Sequence, residues 1–183
     1  MRSAVELCSG ALRLLGFDGV SSLENEGSVE SQTAAEVYTP QRILLLTKHR
    51  WNFARNFAVL SPLADKTAGV RKNAFPLPDD CLNIRKTSDR NSLISGRYVL
   101  SDEELLKIDY TANVVEEVSP VFFDAALETM LAAVLAVPLL KKTDLADYYA
   151  ARFEAQFSEA KSIDAQQINP PVLLAKPLGG LRA

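Results

Sequence analysis

Side chains that could carry out chemistry are few in this sequence. His49 is the only histidine, and Cys8 and Cys81 are the only cysteines. Neighbouring carboxylates occur at three places: Asp79–Asp80, Glu103–Glu104 and Glu116–Glu117. Adjacent acids in turns and at strand ends are usually solvated, and a pair that follows Pro78 is typical of a turn. We therefore assign a catalytic role to none of them.

Motifs that bind phosphates or metals are also missing from the sequence. It contains no glycine-rich phosphate loop, no G-x-S-x-G elbow and no H-E-x-x-H motif. Two cysteines and one histidine at no metal-ligand spacing do not suggest zinc, and both thiols are expected to be reduced and buried. The sequence thus predicts a protein that is not an enzyme, with no catalytic residue, no metal site and no cofactor.

The segment KHRWNFARNF, residues 48–57, combines His49 with the only tryptophan, Trp51. One interpretation is a nucleic-acid contact, in which Trp51 and Phe53 stack on bases and the nearby cations reach phosphates. The other is a structural junction, in which Trp51 is buried and the basic side chains point outward. The apolar register that continues from Leu44 favours the junction. His49 is expected to lie at a helix end without a chemical role.

Two groups of residues in this segment receive a predicted role. The aromatic residues are predicted to anchor the junction in the core: Trp51, Phe53 and Phe57. The basic residues are candidates for contact with another subunit or a partner protein: Lys48, Arg50 and Arg55. The rest of the chain must then supply the two substructures that this junction connects.

Composition and charge narrow the possible functions. Hydrophobic residues make up 48% of the 183 residues and charged residues 23%, as in a soluble protein with a sizeable core. The net charge is −3, yet residues 48–90 carry nine basic and four acidic side chains. Bulk charge does not indicate a polyanion binder, although the basic middle suits an acidic partner or nucleic acid. The apolar run 130–140 is too short for a bilayer, which needs about 20 residues, so we expect a cytosolic protein without a membrane segment.

Apolar periodicity predicts two helices at the start of the chain. Residues 3–15 follow an i, i+3, i+7 rhythm between Ser3, a suitable N-cap, and Gly16, a suitable terminator. A second helical region runs from about residue 28 to residue 50. Pro40 is expected to kink or break it, with Thr39 as a possible cap.

Two further helices are predicted after residue 119. Ser119 is a suitable N-cap and Pro120 a suitable first-turn residue for a helix with a wide apolar stripe, which should therefore be largely buried. Pro138 is expected to close that helix. A last helix should open at Thr143 or Asp144 and continue to about residue 166.

Between the helical ends, the period changes to two. Trp51, Phe53, Phe57 and Val59 alternate with polar or small residues, which predicts a strand. Further strand-like pieces lie at 73–77, 81–86, 96–101 and 105–112, separated by turn-prone residues. The middle of the chain is therefore predicted to be a small antiparallel β region.

The predicted fold class is α+β and mainly helical. The helices of residues 1–50 and 119–166 should pack together, because neither pair can bury both its apolar faces alone, and residues 51–118 form a β insertion between them. Residues 167–183 are rich in proline yet contain aliphatic candidates for docking: Val172, Leu173, Leu174 and Leu178. Two interpretations of this tail stay open, a disordered end and an extended segment that docks in a groove.

The order of several segments matches a known family. The segments are ALRLLGFDGVSSLE, a tyrosine-bearing helix that ends in LLLTKHRWNFA, then FPLPDDCLNI, YVLSDEELLKIDYTANV and VSPVFFDAALETMLAAVLAVPL. Their ordered set, over roughly residues 4–165, resembles the tail tubular protein A family of short-tailed bacteriophages. It is also similar to the wider group of phage head-to-tail adaptor, or gateway, proteins. The interruption at Pro40 and the short middle region depart from the short-tailed pattern.

The resemblance implies a structural, non-enzymatic function in the virion. Such adaptors bind beneath the portal ring, extend the DNA channel and offer a platform for the next tail component, a nozzle or tail tube protein. They form rings, expected here to contain twelve subunits, and genomic DNA passes through without specific binding. The implied location is the virion neck, with the host cytoplasm during assembly. The alternative from the residues themselves is a nucleic-acid-binding module that uses the basic, aromatic region 48–90.

Overall fold

Four helices and two small sheets make up the described part of the chain. A computed structural model describes residues 2–23, 28–63 and 70–167. The helices are α1 (Ala4–Leu14), α2 (Val29–Lys48), α3 (Val121–Leu140) and α4 (Thr143–Gln166), with a 3-10 turn at Glu116–Val118. The strands are β1 (Arg55–Leu60), β2 (Asn73–Pro76), β3 (Cys81–Thr87), β4 (Leu93–Ser95), β5 (Tyr98–Ser101) and β6 (Leu106–Ala112). The predicted α+β, mainly helical fold class is confirmed.

Both ends of α1 follow from the local sequence. The backbone N–H of Glu6 donates to Ser3 Oγ (3.3 Å) and the Ser3 N–H donates to Glu6 Oε2 (2.7 Å), which forms a capping box. Gly16 follows the helix with a φ of 87°, a left-handed conformation that glycine adopts without steric cost. The predicted cap and terminator of this helix are confirmed.

Helix α2 continues through Pro40, so of the predicted kink or break the break is wrong, and Thr39 is not a cap. Pro40 removes one backbone donor, but it lies on the exposed side of the helix. Tyr38 before it and Leu45 after it are both buried in the same core. Tertiary packing along the whole of α2 therefore outweighs the local cost of the proline.

The limits of α3 also differ from the prediction. Its N-cap is Pro120 rather than Ser119, and no side chain caps it. Pro138 lies inside the last turn, which continues for two more residues. Lys141 then takes the left-handed conformation with a φ of 54°, and its N–H donates to Val137 O (2.9 Å). The helix thus ends in a left-handed cap supplied by lysine, not at the proline.

Helix α3 is the most apolar element. Among residues 2–23, 28–63 and 70–167, it is the one helix whose length and mean hydropathy of 1.8 would allow it to cross a membrane. More than half of that stretch, 56%, is buried inside the protein. Length and composition alone are weak evidence for a membrane span, and we interpret α3 as a core helix.

The helices share one apolar core. It contains 23 buried residues from all four helices and from the segment after α2, including Trp51 and Ala54. Helix α4 contributes residues at every third or fourth position: Tyr149, Phe153, Phe157 and Ala160. The amino- and carboxyl-terminal helices are therefore packed as a single frame that holds the β part.

Two three-stranded antiparallel sheets form the β part, in the orders β1-β6-β3 and β2-β5-β4. Strand β4, which the sequence analysis did not predict, joins β5 through a turn at Gly96, whose φ is 57°. A second core of seven buried residues lies in this part: Leu60, Phe75, Val99, Leu106, Ile108, Tyr110 and Ala112. Side chains on the inner faces of the strands form this core, and the outer face of β1 and β6 is largely exposed and free to contact other molecules.

Candidate interaction surface

Trp51 ties the end of α2 to the start of the β part. Its side chain is fully buried, and the indole Nε1–H donates to Leu45 O (2.9 Å). Phe53, Phe123 and Phe157 surround it at ring-centroid distances of 5.9, 5.4 and 5.9 Å. This cluster buries a large apolar area and gives the indole donor a partner. The structure therefore places Trp51 and the half-buried Phe53 at the core side of the predicted junction.

Asp164 holds the loop that follows Trp51. Its carboxylate accepts hydrogen bonds from the Asn52 backbone N–H (3.0 Å) and side-chain amide (3.1 Å), and the amide also donates to the Asp164 carbonyl (2.7 Å). His49, the C-cap of α2, brings Nε2 within 3.3 Å of the same carboxylate. Asp164 is only 1% exposed, so these partners offset the cost of burying its charge.

The sequence analysis missed Asp164. One signal was present, because Asp164 continues the buried register of α4 four residues after Ala160. An acid at a core position of a helix needs a donor from another element. Its partner Asn52 is 112 positions away in the chain, so the pairing itself was not visible in the sequence.

Phe57 is exposed, so its predicted role as a core anchor is wrong. Its side chain is 64% exposed, and that of Val59 is 61% exposed. The prediction assumed one strand from Trp51 onward, but residues 52–54 are not part of β1. Because that turn interrupts the alternation, Leu60 faces the β core while the odd-numbered residues face outward.

A positively charged surface surrounds Phe57. One open cavity of about 300 Å³ lies next to a second of about 180 Å³ that Phe57 lines. We call their shared surface the basic sheet face and define it by seven of its residues: Arg50, Arg55, Phe57, Arg85, Lys86, Lys107 and Asp109. Five cations against one carboxylate favour an acidic or anionic partner.

Arg55 is held rigidly on the basic sheet face. Its Nε–H and Nη2–H donate to the two carboxylate oxygens of Asp109 at 3.2 and 2.7 Å, across the β1–β6 pair. The guanidinium also lies 4.8 Å from the centroid of the Phe57 ring. A fork-shaped ion pair and a cation–π contact fix the orientation of both side chains before any partner binds.

An irregular register in β3 brings two further cations to the same face. Ile84 pairs with Tyr110 and Lys86 pairs with Asp109, so Arg85 is an extra residue between two neighbouring positions of β6. A bulge of this kind redirects side chains that would otherwise alternate between the two faces. It explains why both Arg85 and Lys86 line the basic cavity.

Arg85 links the basic sheet face to the junction. Its Nη2–H donates to Trp51 O (2.6 Å) and its Nε–H donates to Thr111 Oγ1 (2.9 Å). Burial lowers the pKa of Arg85, and the charges of Arg55 and Arg50 also lower it, whereas the charges of Asp109 and Asp164 raise it. Both hydrogen-bond partners are neutral, so Arg85 adds a half-buried positive charge that an anionic group from outside would stabilise.

The other predicted contact residues lie elsewhere. Lys48 faces α4: its Nζ is 3.9 Å from Glu154 and lies over the rings of Phe153 and Phe157 at 5.3 and 5.8 Å. The docking candidates of the tail lie outside the described residues: Val172, Leu173, Leu174 and Leu178. Of the predicted contact residues that the structure describes, it therefore brings Arg50 and Arg55 together and places Lys48 elsewhere.

The acidic and cysteine side chains that could take part in chemistry do not lie together at one site. Asp80 accepts a hydrogen bond from the Tyr110 hydroxyl (3.1 Å), and Glu116 accepts one from Tyr38 (3.3 Å) at a distant position. Burial raises the pKa of the Cys8 thiol to about 12, which keeps it protonated. Cys81 is only half-buried, so the prediction that both thiols are buried holds fully for Cys8 alone. Among the three described ranges, no group of three or more His, Cys, Asp or Glu could hold a metal ion.

No protein-family model matches the chain, and no curated protein matches it. The resemblance to phage adaptors rests on the ordered segments of the sequence.

Proposed function

We propose that this chain is a structural subunit of a phage head-to-tail adaptor. It would form a ring beneath the portal, extend the DNA channel and carry the next tail component. The observation that carries the proposal is the exposure of Phe57 on the basic sheet face and of Val59 beside it on the same strand. Both lie outside the two cores. Aromatic and arginine side chains that serve no internal packing are typical of protein–protein interfaces.

A ring requires a rigid interface that meets a different surface of the next copy. Trp51 and Asp164 supply rigidity, because they fix the β part to the helical core from both sides of the junction. The basic sheet face would then meet an acidic surface of a neighbouring subunit or the portal. Helix α4 carries exposed acids that suit such a contact: Asp144, Asp147 and Glu154. An acidic lumen would also let DNA slide without strong phosphate binding.

Assembly with the portal ring of the same virus tests the proposal. The full chain is mixed with isolated portal rings, and native mass spectrometry and negative-stain microscopy count the bound copies. We expect twelve copies for the wild-type chain and loss of the complex for Phe57→Ser. Tyr148→Ser is the matched control, because Tyr148 is also an exposed aromatic residue (56%) but lies on α4.

Three results would bear on the proposal differently. If both variants bind the portal like wild type, the interface does not lie on the basic sheet face. A chain that stays monomeric and never binds the portal would overturn the adaptor function. Loss of binding with both variants would point to a general defect, which circular dichroism of each variant checks.

A second candidate function is nucleic-acid binding, favoured by the four cations that line the larger cavity: Arg50, Arg55, Arg85 and Lys86. It predicts that affinity for a short DNA duplex falls linearly on a log–log plot against salt, with a slope of about −0.9 per phosphate contact. Fluorescence anisotropy measures this slope. Arg50→Gln should reduce it by about one unit, whereas Arg152→Gln, an exposed arginine on α4, should not. No binding at low salt would exclude this function.

A further inference from the structure

A shallow apolar groove lies between the start of α3 and the end of α4. It has a volume of about 360 Å³, and the residues that give it apolar character are Val121, Phe122, Ala125, Ala160 and Ile163. Val121 is 79% exposed, more than any other large hydrophobic residue in the described ranges. We call this feature the α3–α4 groove.

The groove is preformed. Its floor is supported from below, because the Phe122 ring stacks at 6.1 Å on the buried indole of Trp51. Towards the middle of the helices, the Thr129 hydroxyl donates to Gln156 Oε1, and Gln156 also lines the groove. The groove therefore has a rigid floor, and an occupant would not need to open it.

The closest candidate occupant in the sequence begins where α4 ends. Helix α4 ends at Gln166, less than one turn beyond Ile163 of the groove. Sixteen residues, 168–183, follow the last described residue. Six of them are large aliphatic residues, and the segment has no acidic residue but two basic ones, Lys176 and Arg182. Its composition suits an apolar groove with Glu159 on its lining.

The geometry of the chain permits a return to the groove. The ten residues from Gln156 to Gln166 rise about 15 Å along α4. Four residues, 168–171, span up to about 14 Å when extended, and Pro170 and Pro171 favour an extended conformation. A reversal at this point would place residues 172–174 over Ala160 and Ile163.

We propose that, in the free subunit, residues 172–174 of the same chain bind in the α3–α4 groove. The aliphatic side chains cover Val121 and Ile163, and Lys176 lies near Glu159. A short connection gives the segment an effective concentration in the millimolar range, so a modest apolar contact keeps it bound. A partner that offers a better groove would release the segment by exchange. This inference does not depend on the proposed function.

Cysteine cross-linking of the full chain tests the inference. In a Cys8→Ala, Cys81→Ser background, Ala125→Cys is combined with Val172→Cys, Leu173→Cys or Leu174→Cys in three separate proteins. Mild oxidation forms a disulfide only where the two Cα atoms come within about 7 Å. A mixture of ¹⁴N- and ¹⁵N-labelled protein shows by mass spectrometry whether the bond joins one chain or two. We expect a bond within one chain in at least one of the three proteins.

Two controls define the result. Val121→Asp should abolish the cross-link, and it should fold, because an aspartate in the first turn suits the helix dipole. Val137→Asp, at an exposed position near the other end of α3, should leave the cross-link unchanged. Bonds that join ¹⁴N and ¹⁵N chains would show that a second copy fills the groove and would overturn the proposal. A yield in all three proteins no higher than with the Val121→Asp change would overturn it as well. The experiment uses the free chain without portal rings, so neither outcome decides the adaptor function.

Discussion

The helical core and the β core of this protein differ in how many side chains they bury and in which apolar side chains remain exposed beside them. The helical core buries 23 residues, and most aromatic residues of α2, α3 and α4 face it, with Tyr148 as an exposed exception. The β core buries seven residues and leaves Phe57 and Val59 on its outer face. The larger core therefore accounts for most of the apolar stabilisation, and the smaller part presents side chains that folding does not use.

Polar contacts form a joint between the two regions. Asn52 is held by Asp164 from α4, and Arg85 from β3 donates to the carbonyl of Trp51. The buried Arg42 of α2 adds a second link, because it donates to Asn113 Oδ1 (3.0 Å) and to Val114 O after β6. Substitutions on the two sides of this joint should have very different effects on stability.

Trp51→Ala should have the largest effect. The substitution removes a fully buried indole and its hydrogen bond to Leu45, so the free energy of unfolding should fall by about 3–5 kcal/mol. Urea denaturation followed by circular dichroism measures this change. A loss below about 1 kcal/mol would show that the indole is not part of the helical core. The proposed difference between the two regions would then be contradicted.

Asp164→Ala should have the second largest effect. It leaves the Asn52 N–H without its acceptor and removes hydrogen bonds to a charged group, so we expect a loss of about 2–3 kcal/mol. Hydrogen exchange should also become faster at the Asn52 amide, which reports on the joint itself. The matched control is Asp147→Ala, an exposed acid on the same helix, which should change stability by less than about 0.5 kcal/mol.

The sequence predicted most of the helices and strands from their periodicity, but it did not predict the effects of long-range packing. Helix periodicity located all four helices, and the strand rhythm located β2, β3, β5 and β6 within a few residues. Pro40 and Pro138 misled the prediction because packing of a long apolar helix compensates for one missing donor. Phe57 misled it because a turn after Trp51 changed which residues share a face.

The candidate surface was predicted only in part. Arg50 and Arg55 stood out as cations beside aromatic residues in one segment. Arg85 and Lys86 did not, because their common orientation depends on a register shift against β6. Strand pairing across more than 20 residues is not encoded in local periodicity, so the cavity could be described only from the fold.

Asp124→Asn should have a smaller, pH-dependent effect on the helical core. Burial raises the pKa of Asp124 from 3.8 to about 6, although Arg2 and Arg42 lower it. The folded state then binds more protons than the unfolded state between about pH 4 and pH 6, so this residue makes stability fall as pH rises through that range. Above pH 6 the asparagine variant should be more stable than wild type by about 1–2 kcal/mol, and near pH 4 the difference should vanish.

Denaturation of both proteins at pH 4, 5, 6 and 7.5 tests this prediction. The measured quantity is the difference in unfolding free energy between variant and wild type, because other carboxylates also titrate in this range. Glu6 is one of them, and its pKa is lowered by the hydrogen bond from the Ser3 backbone, so its contribution has the opposite sign. A difference that does not change with pH would show that Asp124 titrates normally in the folded protein.

Phe57→Ala should have the smallest effect on stability and the largest on assembly. The side chain is mostly exposed, and its main described contact is the guanidinium of Arg55, which contributes about 0.5–1 kcal/mol at an exposed site. We expect the unfolding free energy to change by no more than about 1 kcal/mol, as measured by urea denaturation beside Trp51→Ala. A loss of 2 kcal/mol or more would mean that Phe57 belongs to the folding core after all. The outer face of the sheet would then have no spare aromatic residue, and the proposed function would lose the observation that carries it.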